Sequence, residues 1–375
     1  MLYQKKGLTL AFILLGIFIV VTSNVLAGFE EELFISELIS RMTEKDEEIV
    51  FNYNTGYDNI DINQLKEAVR VAIGRTDNYT RYTIKDWQIR LQGSSQDVEI
   101  SISVNYYNNS SEDKYVFQRV ESLIDSIIRP SMNIHQKIKS ITDYIAVNVE
   151  YDDYKQRYSA YDALQGRSTC QGYALFTYLM LKEAGVDNQI VVGSLDNENH
   201  AWNLVNINGK YYHLDLTQIS SYYHNYNDLL YNEYLVNDAA LRIKYTWNQN
   251  EYPASNASYF QQIKNDLQYT DRGLYEEMAN TLNLNYMAAE NTARSRTQLM
   301  NIIKGYLAEE GIKLRIRTNV GLLDKSLINN LISDIFAENP EWTNIYQGWN
   351  FSMQPIYIRD GIEDSGLLII NFEKR

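Results

Sequence analysis

The stretch NHAWNLVNINGKYYHLDLT, residues 199–217, decides how the centre of this chain folds. Apolar and polar side chains alternate on both sides of Asn208-Gly209. Asn-Gly between alternating runs is the strongest short-range signal for a two-residue type I′ hairpin turn. With that turn Ile207 faces Lys210, and the same register puts Trp202 opposite Asp215 and His200 opposite Thr217. Side chains alternate with period two along a strand, so His200 and Asp215 share a face as diagonal neighbours. Their Cβ atoms then lie about 7–8 Å apart or somewhat less. A carboxylate at that distance accepts from one imidazole nitrogen and fixes the tautomer, and the other nitrogen is left to act as a base. His213 falls opposite Leu204, on the same face but nearer the turn, too far away to share the His200 site. His135 and His224 have no such setting and read as structural histidines.

The stretch STCQGYALFTYLM, residues 168–180, holds the only cysteine of the 375 residues, Cys170. Ser168 and Thr169 are N-cap types. The run CQGYALFTYLMLKEAG is apolar almost all round and reads as a buried helix, closed by Gly185 at the position after the C-cap. Cys170 then sits in the first turn, where unpaired N–H groups and the helix dipole stabilise a thiolate. A thiolate, an imidazole and an orienting carboxylate make a thiol hydrolase or acyltransferase site, with Cys170, His200 and Asp215 as nucleophile, base and orienter. The Cys170 amide can donate to an oxyanion. Gln165 and Tyr161, just upstream, are candidates for the second donor. The competing readings are a small buried cysteine and a metal ligand. Cys170, His200, His213 and Asp215 are zinc-ligand types, but their spacing matches no closed structural site. No metal and no cofactor is expected.

Two similar stretches flank this region. EEIVFNYN, INQLKEAVRVAIGR, DWQIRLQG and DVEISISVNY read as strand, helix, strand, strand, with Leu65, Val69, Ala72 and Ile73 on one helical face. GIKLRIRTN, LDKSLINNLISDIFAE, GWNFSMQP and GLLIINFEK repeat the order, with Leu327, Leu331, Ile335 and Phe336 in register. Trp87 and Trp349 occupy equivalent places. Two β-α-β-β modules of this kind are expected. Between them, Ile134, Ile138, Ile141 and Ile145 mark a helix, QIVVG a buried strand, and YNEYLV another strand. Asn237-Asp238 cap a helix running to about YTWNQNEYP, and PASNAS reads as a linker.

The amino-terminus carries Lys5 and Lys6, then an apolar run from Leu8 to Val21, with Val25 and Ala27 at the −3 and −1 places before Gly28. This is the pattern of a secretory signal peptide. An uncleaved anchor is the alternative, although the run is short for a span of about 20 apolar residues. Either way the remainder is expected to be exported, and membrane contact only through this segment. The net charge of −14 disfavours nucleic acid as a partner. A single cysteine forms no intramolecular disulfide, and a free thiol outside the cell invites oxidation.

TCQGYALFTYLMLKEAG, NHAWNLVNINGKYYHLDLT and YNEYLVND…YTWNQNEYP, in that order and spacing, together resemble the transglutaminase-like superfamily in its bacterial exported branch. The resemblance covers roughly Ile134 to Pro253. It implies a papain-like core, with the cysteine at a helix N-terminus against an antiparallel sheet, the catalytic Cys at Cys170, the His at His200 and the Asp at Asp215. Members of that branch often carry Trp after D-x-T; Gln218 stands there, which puts the shape of the cleft or its lip in question. The fold expected is α+β: a segment 1–27 that is a signal peptide or anchor, an amino-terminal module 28–128, a transglutaminase-like domain 129–255 with an antiparallel sheet, and a carboxy-terminal module 256–375. The function expected is an exported or cell-surface thiol enzyme acting on peptide or amide bonds of a peptide or protein substrate, including cell-envelope material. Hydrolysis is favoured over cross-linking. A non-catalytic exported binding or scaffold protein is the other reading.

Overall fold

In a computed structural model of the protein, Asn208 and Gly209 both have positive φ, 53° and 81°, as a type I′ turn requires. The pairing runs back from it as the turn dictates, Ile207 with Lys210 through Leu204 with His213 to Asn203 with Leu214. The structure describes residues 31–375 except 55–59, 95, 243, 283, 285–290, 320–321, 323 and 356–364. The amino-terminal segment read as a signal peptide or anchor lies outside the described residues. Among the described residues no helix is long and apolar enough to cross a membrane.

The chain divides into two compact units: the residues up to Thr76 with Trp87–Val104, and Asp77–Asp86 with Asn105–Arg375. The first unit contains α1 (Glu31–Thr43), β1 (Glu48–Tyr53) and α2 (Ile62–Arg75). After the short α3 (Asn78–Thr83) come β2 (Ile84–Gly93) and β3 (Val98–Tyr106). The strands form a sheet in the order β1-β3-β2, with β1 antiparallel to β3. Helix α2 starts where Asp61 accepts from the Asn63 and Gln64 amides, and it buries Leu65, Ala68, Val69 and Ala72. The apolar stripe expected there is present, with Ala68 added and Ile73 half-buried.

The second unit is built on α7 (Cys170–Glu183), whose residues from Gly172 to Leu181 are all buried. Around it stand α4 (Ser110–Ile127), α5 (Ile134–Asn148), β4 (Glu150–Tyr151), α6 (Ala160–Leu164) and β5 (Arg167–Ser168). One side of α7 meets an antiparallel sheet in the order β8-β7-β6-β9. Its strands are β6 (Asn188–Leu195), β7 (Glu198–Ile207), β8 (Lys210–Leu214) and, after α8 (Leu216–Tyr226) and α9 (Asp238–Leu241), β9 (Tyr245–Trp247). Asn203 ties sheet to helix, its Nδ2 donating to the Ala174 carbonyl at 3.0 Å. Gly185 closes α7 with φ 75°. Gly172 is required by close approach: a Cβ there would lie 1.8 Å from Ser168 Oγ and 2.6 Å from the Ser159 carbonyl.

Two sequence readings change in this region. YNEYLV is not a strand: only Val236 bridges, to His213, because Leu235 adopts φ 52°, which an extended run cannot contain. The helix capped by Asn237 stops at Leu241, and Tyr245–Trp247 is instead a strand on β6.

The carboxy-terminal part follows α10 (Tyr259–Leu267) and α11 (Arg272–Thr281) and comprises β10 (Thr292–Ala293), α12 (Arg296–Ala308), β11 (Lys313–Asn319), α13 (Lys325–Glu338), β12 (Tyr346–Pro355) and β13 (Ser365–Lys374). Its sheet order is β10-β11-β13-β12. Strands β11, β12 and β13 therefore repeat the first–third–second order of β1, β2 and β3. Trp87 and Trp349 are each the fourth residue of the second strand of their set. Val116, Val120 and Ile124 of α4, Tyr259, Phe260, Ile263 and Leu267 of α10, and Leu367 and Ile369 of β13 belong to the central cluster, while a separate cluster takes in Ala293, Ile303, Ile332, Leu368 and Ile370. PASNAS is packed rather than loose, with Ser255 fully buried and its hydroxyl donating to the Tyr211 carbonyl.

Candidate functional site

Cys170 is the first residue of α7, and Thr169 is its N-cap. Neither predicted capping type closes the helix end. The Thr169 side chain makes no cap bond, and the Ser168 hydroxyl donates instead to the Arg157 carbonyl at 3.0 Å. The first amides of a helix have no partner within it, so the Cys170 end offers uncapped N–H donors and the positive end of the dipole to the half-buried thiol.

His200 lies on β7 and Asp215 at the N-cap of α8. Strand β8 ends at Leu214, so the expected ladder pairs of Trp202 with Asp215 and of His200 with Thr217 do not form. The chain turns into a helix there because the Asp215 carboxylate caps it: Oδ1 accepts from the Thr217 amide at 3.0 Å and the Gln218 amide at 3.4 Å. The other oxygen, Oδ2, lies 2.6 Å from His200 Nε2 and accepts from the Tyr245 hydroxyl at 2.7 Å. The His200–Asp215 neighbourhood read from the hairpin is therefore present, made by a strand and a helix cap rather than by two strands.

Both groups are buried, His200 8% and Asp215 1% exposed. Burial alone would drive protons off the imidazole. The Asp215 charge and hydrogen bond outweigh it, with a further contribution from Cys170, and the His200 pKa rises to about 10. Burial would likewise raise Asp215, but the attraction and hydrogen bond of His200, with the bonds from Tyr245 and Gln218, hold it below the usual carboxylate range. Asp215 takes Nε2, so Nδ1 is the free ring nitrogen.

Cys170 and His200 line one cavity of about 850 Å³. Tyrosines 82, 107, 151 and 158 form much of its wall, Tyr107 and Tyr158 stacked with centroids 5.1 Å apart. Lys155 and Glu198, also on the wall, pair at 3.2 Å. Tyr151 lies on β4 beside Ser168 of β5. Burial, and then the neighbouring Cys170, push its hydroxyl up to about 12, which keeps it a donor. Gln218 borders the cavity. Tyr161 and Gln165, the second-donor candidates upstream, are not among its lining residues: Tyr161 packs edge-on against Tyr115, and Gln165 closes α6.

The other histidines have their own partners. His213 Nδ1 accepts from Trp202 Nε1 at 2.9 Å, and its Nε2 meets Asp238 at 2.8 Å. His135 meets Tyr259 and Asp266, a carboxylate partner that no local pattern announced. His224 meets the Val149 carbonyl. Among the described residues no three His, Cys, Asp or Glu side chains converge as a metal site would need. Sequence reading missed Tyr245, Tyr151 and the contact of Trp202 with His200.

Residues 121–216 match the family described as the Transglutaminase-like superfamily. That segment is transglutaminase-like. The matched segment takes in Cys170 and His200 and ends one residue past Asp215. Three solved structures are similar to part of this chain. One, a putative cysteine protease from Cytophaga hutchinsonii, is 15% identical with a TM-score of 0.25, over 36% of this chain and 66% of that one. Another, a TGase, is 13% identical with a TM-score of 0.23, over 45% and 50%. A third, a putative protease from Parabacteroides distasonis, is 10% identical with a TM-score of 0.22, over 35% and 36%. This chain thus spans about a third to two thirds of those chains. No curated protein matches it.

Proposed function

We propose that the protein is an exported cysteine-dependent enzyme that cleaves peptide or amide bonds through an acyl-enzyme. The observation that carries this reading is the shared cavity, with Cys170 at an uncapped helix start and a His200 imidazole 2.6 Å from a buried carboxylate. The thiolate attacks the carbonyl carbon, and the oxyanion is met by the Cys170 amide and the Tyr151 hydroxyl. Collapse breaks the C–N bond, and the leaving amine takes the proton from His200. His200 then removes a proton from water as it attacks the thioester; the C–S bond breaks, the acid is released, and the thiolate and the protonated imidazole are restored. Asp215 orients the imidazole throughout and stabilises its charged form before acylation and after deacylation.

An amine in place of that water would give cross-linking by the same first half. Hydrolysis is preferred because Cys170 is half-buried rather than enclosed, and polar Gln218 and Ser221 border the cavity, so water has access to the thioester. Export rests on the lysine-led apolar amino-terminus, and the substrate is then peptide or protein material at or outside the cell envelope.

The test is alkylation and turnover. Cys170 should react with iodoacetamide near neutral pH faster than a model thiol, and His200→Ala should abolish the excess. Incubation with cell-wall peptides and proteins, with and without an added amine, should give hydrolysed product by mass spectrometry. An amine adduct alone would instead establish cross-linking, and a thiol no faster than the model compound would leave the protein a binding module.

A further inference from the structure

Behind His200 stands a second histidine–aspartate pair that the proposed chemistry does not use. Trp202 separates the two. Its ring lies alongside the His200 imidazole, centroids 6.0 Å apart and planes 21° from parallel. Its Nε1–H points away from the cavity and donates to His213 Nδ1 at 2.9 Å. For Nδ1 to accept, the proton of His213 must sit on Nε2, where Asp238 Oδ1 accepts at 2.8 Å. Asp238 is fixed in turn: it is the first residue of α9, and its Oδ2 accepts from the Ser255 amide at 3.2 Å. Trp202 and His213 are each 1% exposed. Burial also lowers the His213 pKa, which favours the neutral ring this chain needs. The chain from Asp238 through His213 to Trp202 therefore has one consistent set of donors and acceptors.

We propose that Asp238, His213 and Trp202 are positioning residues that hold the indole face against His200 and so stabilise the charged imidazole beside Cys170. An aromatic face within about 6 Å of a cation attracts it, most strongly when both are desolvated. The role rests on the reading of Cys170 and His200 as an activated pair. Tyr245 closes the arrangement, its ring edge-on to both Trp202 and His200, at 5.3 and 5.8 Å. The indole cannot turn without breaking its bond to His213, so the tautomer of one buried histidine sets the environment of another.

The experiment is the pH dependence of Cys170 alkylation by iodoacetamide in the full chain, with thermal unfolding measured alongside. With one cysteine in the chain, the rate reports Cys170 alone. Removing the acceptor with His213→Leu should lower the rate at neutral pH on the order of tenfold and move the alkylation midpoint to higher pH. His213→Asn, which keeps an acceptor for the indole, should recover most of the loss. Trp202→Phe, which keeps a ring but loses the N–H, should fall between wild type and His213→Leu and serves if the leucine variant does not fold. Variants that lower only the unfolding temperature and leave rate and midpoint unchanged would overturn the proposal while the enzyme reading stands. A wild-type Cys170 no faster than a model thiol would overturn both.

Discussion

One oxygen of Asp215 caps helix α8 while the other lies 2.6 Å from His200 Nε2. The carboxylate is thus structural and chemical at once, and two substitutions separate the roles. Asp215→Asn keeps an acceptor for the Thr217 amide and removes the charge. Asp215→Ala removes both, and losing a cap costs about 0.5–2 kcal/mol. Both should lose activity on the order of a hundredfold or more, and the alanine variant should also unfold at lower urea concentration than the asparagine variant. Equal activity in wild type and Asp215→Asn would exclude an electrostatic role.

The same pair sets a pH dependence of stability. The folded His200 pKa is raised from 6.5 to about 10, so the folded state binds the proton more tightly than the unfolded chain. Its contribution is fully present below about pH 6.5 and is lost as pH rises towards about 10. The Asp215 pKa is lowered, so its contribution is present above the unfolded value and lost as pH falls through the folded one. Urea unfolding from pH 6.5 to 10 should show wild type losing stability across that interval, and Asp215→Asn losing less. Parallel curves would mean that His200 is not held charged by Asp215.

Tyr245 supplies the second hydrogen bond to the oxygen that faces His200. Removing it with Tyr245→Phe leaves the carboxylate buried with one donor fewer, a change worth about 1.5–3 kcal/mol for a bond to a charged group. The expected result is lower kcat with KM little changed, and a higher pH midpoint for loss of the imidazole proton, because a carboxylate that has lost a donor holds that proton more strongly. A change in KM alone would place Tyr245 in substrate binding.

What could be read in advance follows the range of the interactions involved. The register from Ile207–Lys210 onward is set by two adjacent turn residues and a period of two, both local. The buried helix from Cys170 is equally local, a run without a polar face. Tyr245 is not: it comes thirty residues after Asp215, on a strand of three residues, too short to show a pattern. The allegiance of α4 is hidden for a related reason, since an apolar stripe identifies a buried face but not the core that buries it. YNEYLV alternates like a strand, and the left-handed Leu235 that interrupts it is no turn-former. The Asp215 cap shows the cost of extending a correct register too far: Asp-x-Thr is also a helix-start signal, and the capping amides outcompete the last ladder pairs.

Gly209 tests the hairpin itself. A Cβ there would meet nothing within 4 Å, so substitution acts only through its φ of 81°. Gly209→Val should cost about 1–2 kcal/mol, the penalty of the left-handed region for a side chain, measured by urea unfolding, and activity should fall as β7, which carries His200, and β8, which leads into the Asp215 cap, lose their register. Undiminished stability would mean that the turn is not of type I′ in solution.

Tyr151 carries the remaining part of the mechanism. Its hydroxyl stays protonated, held up to about 12 by burial and the nearby Cys170, and its strand runs beside Ser168, two residues before the nucleophile. If it meets the oxyanion, it acts in the transition state and not in the resting thiol. Tyr151→Phe should then lower kcat on the order of a hundredfold, leave KM nearly unchanged and leave iodoacetamide alkylation of Cys170 close to wild type, because that reaction forms no oxyanion. A variant that alkylates slowly would show that Tyr151 tunes the thiol instead. A variant with normal kcat would leave the Cys170 amide to be paired with another donor from the cavity wall, of which Gln171 is less available because its Nε2 already donates to the Tyr82 carbonyl at 2.7 Å.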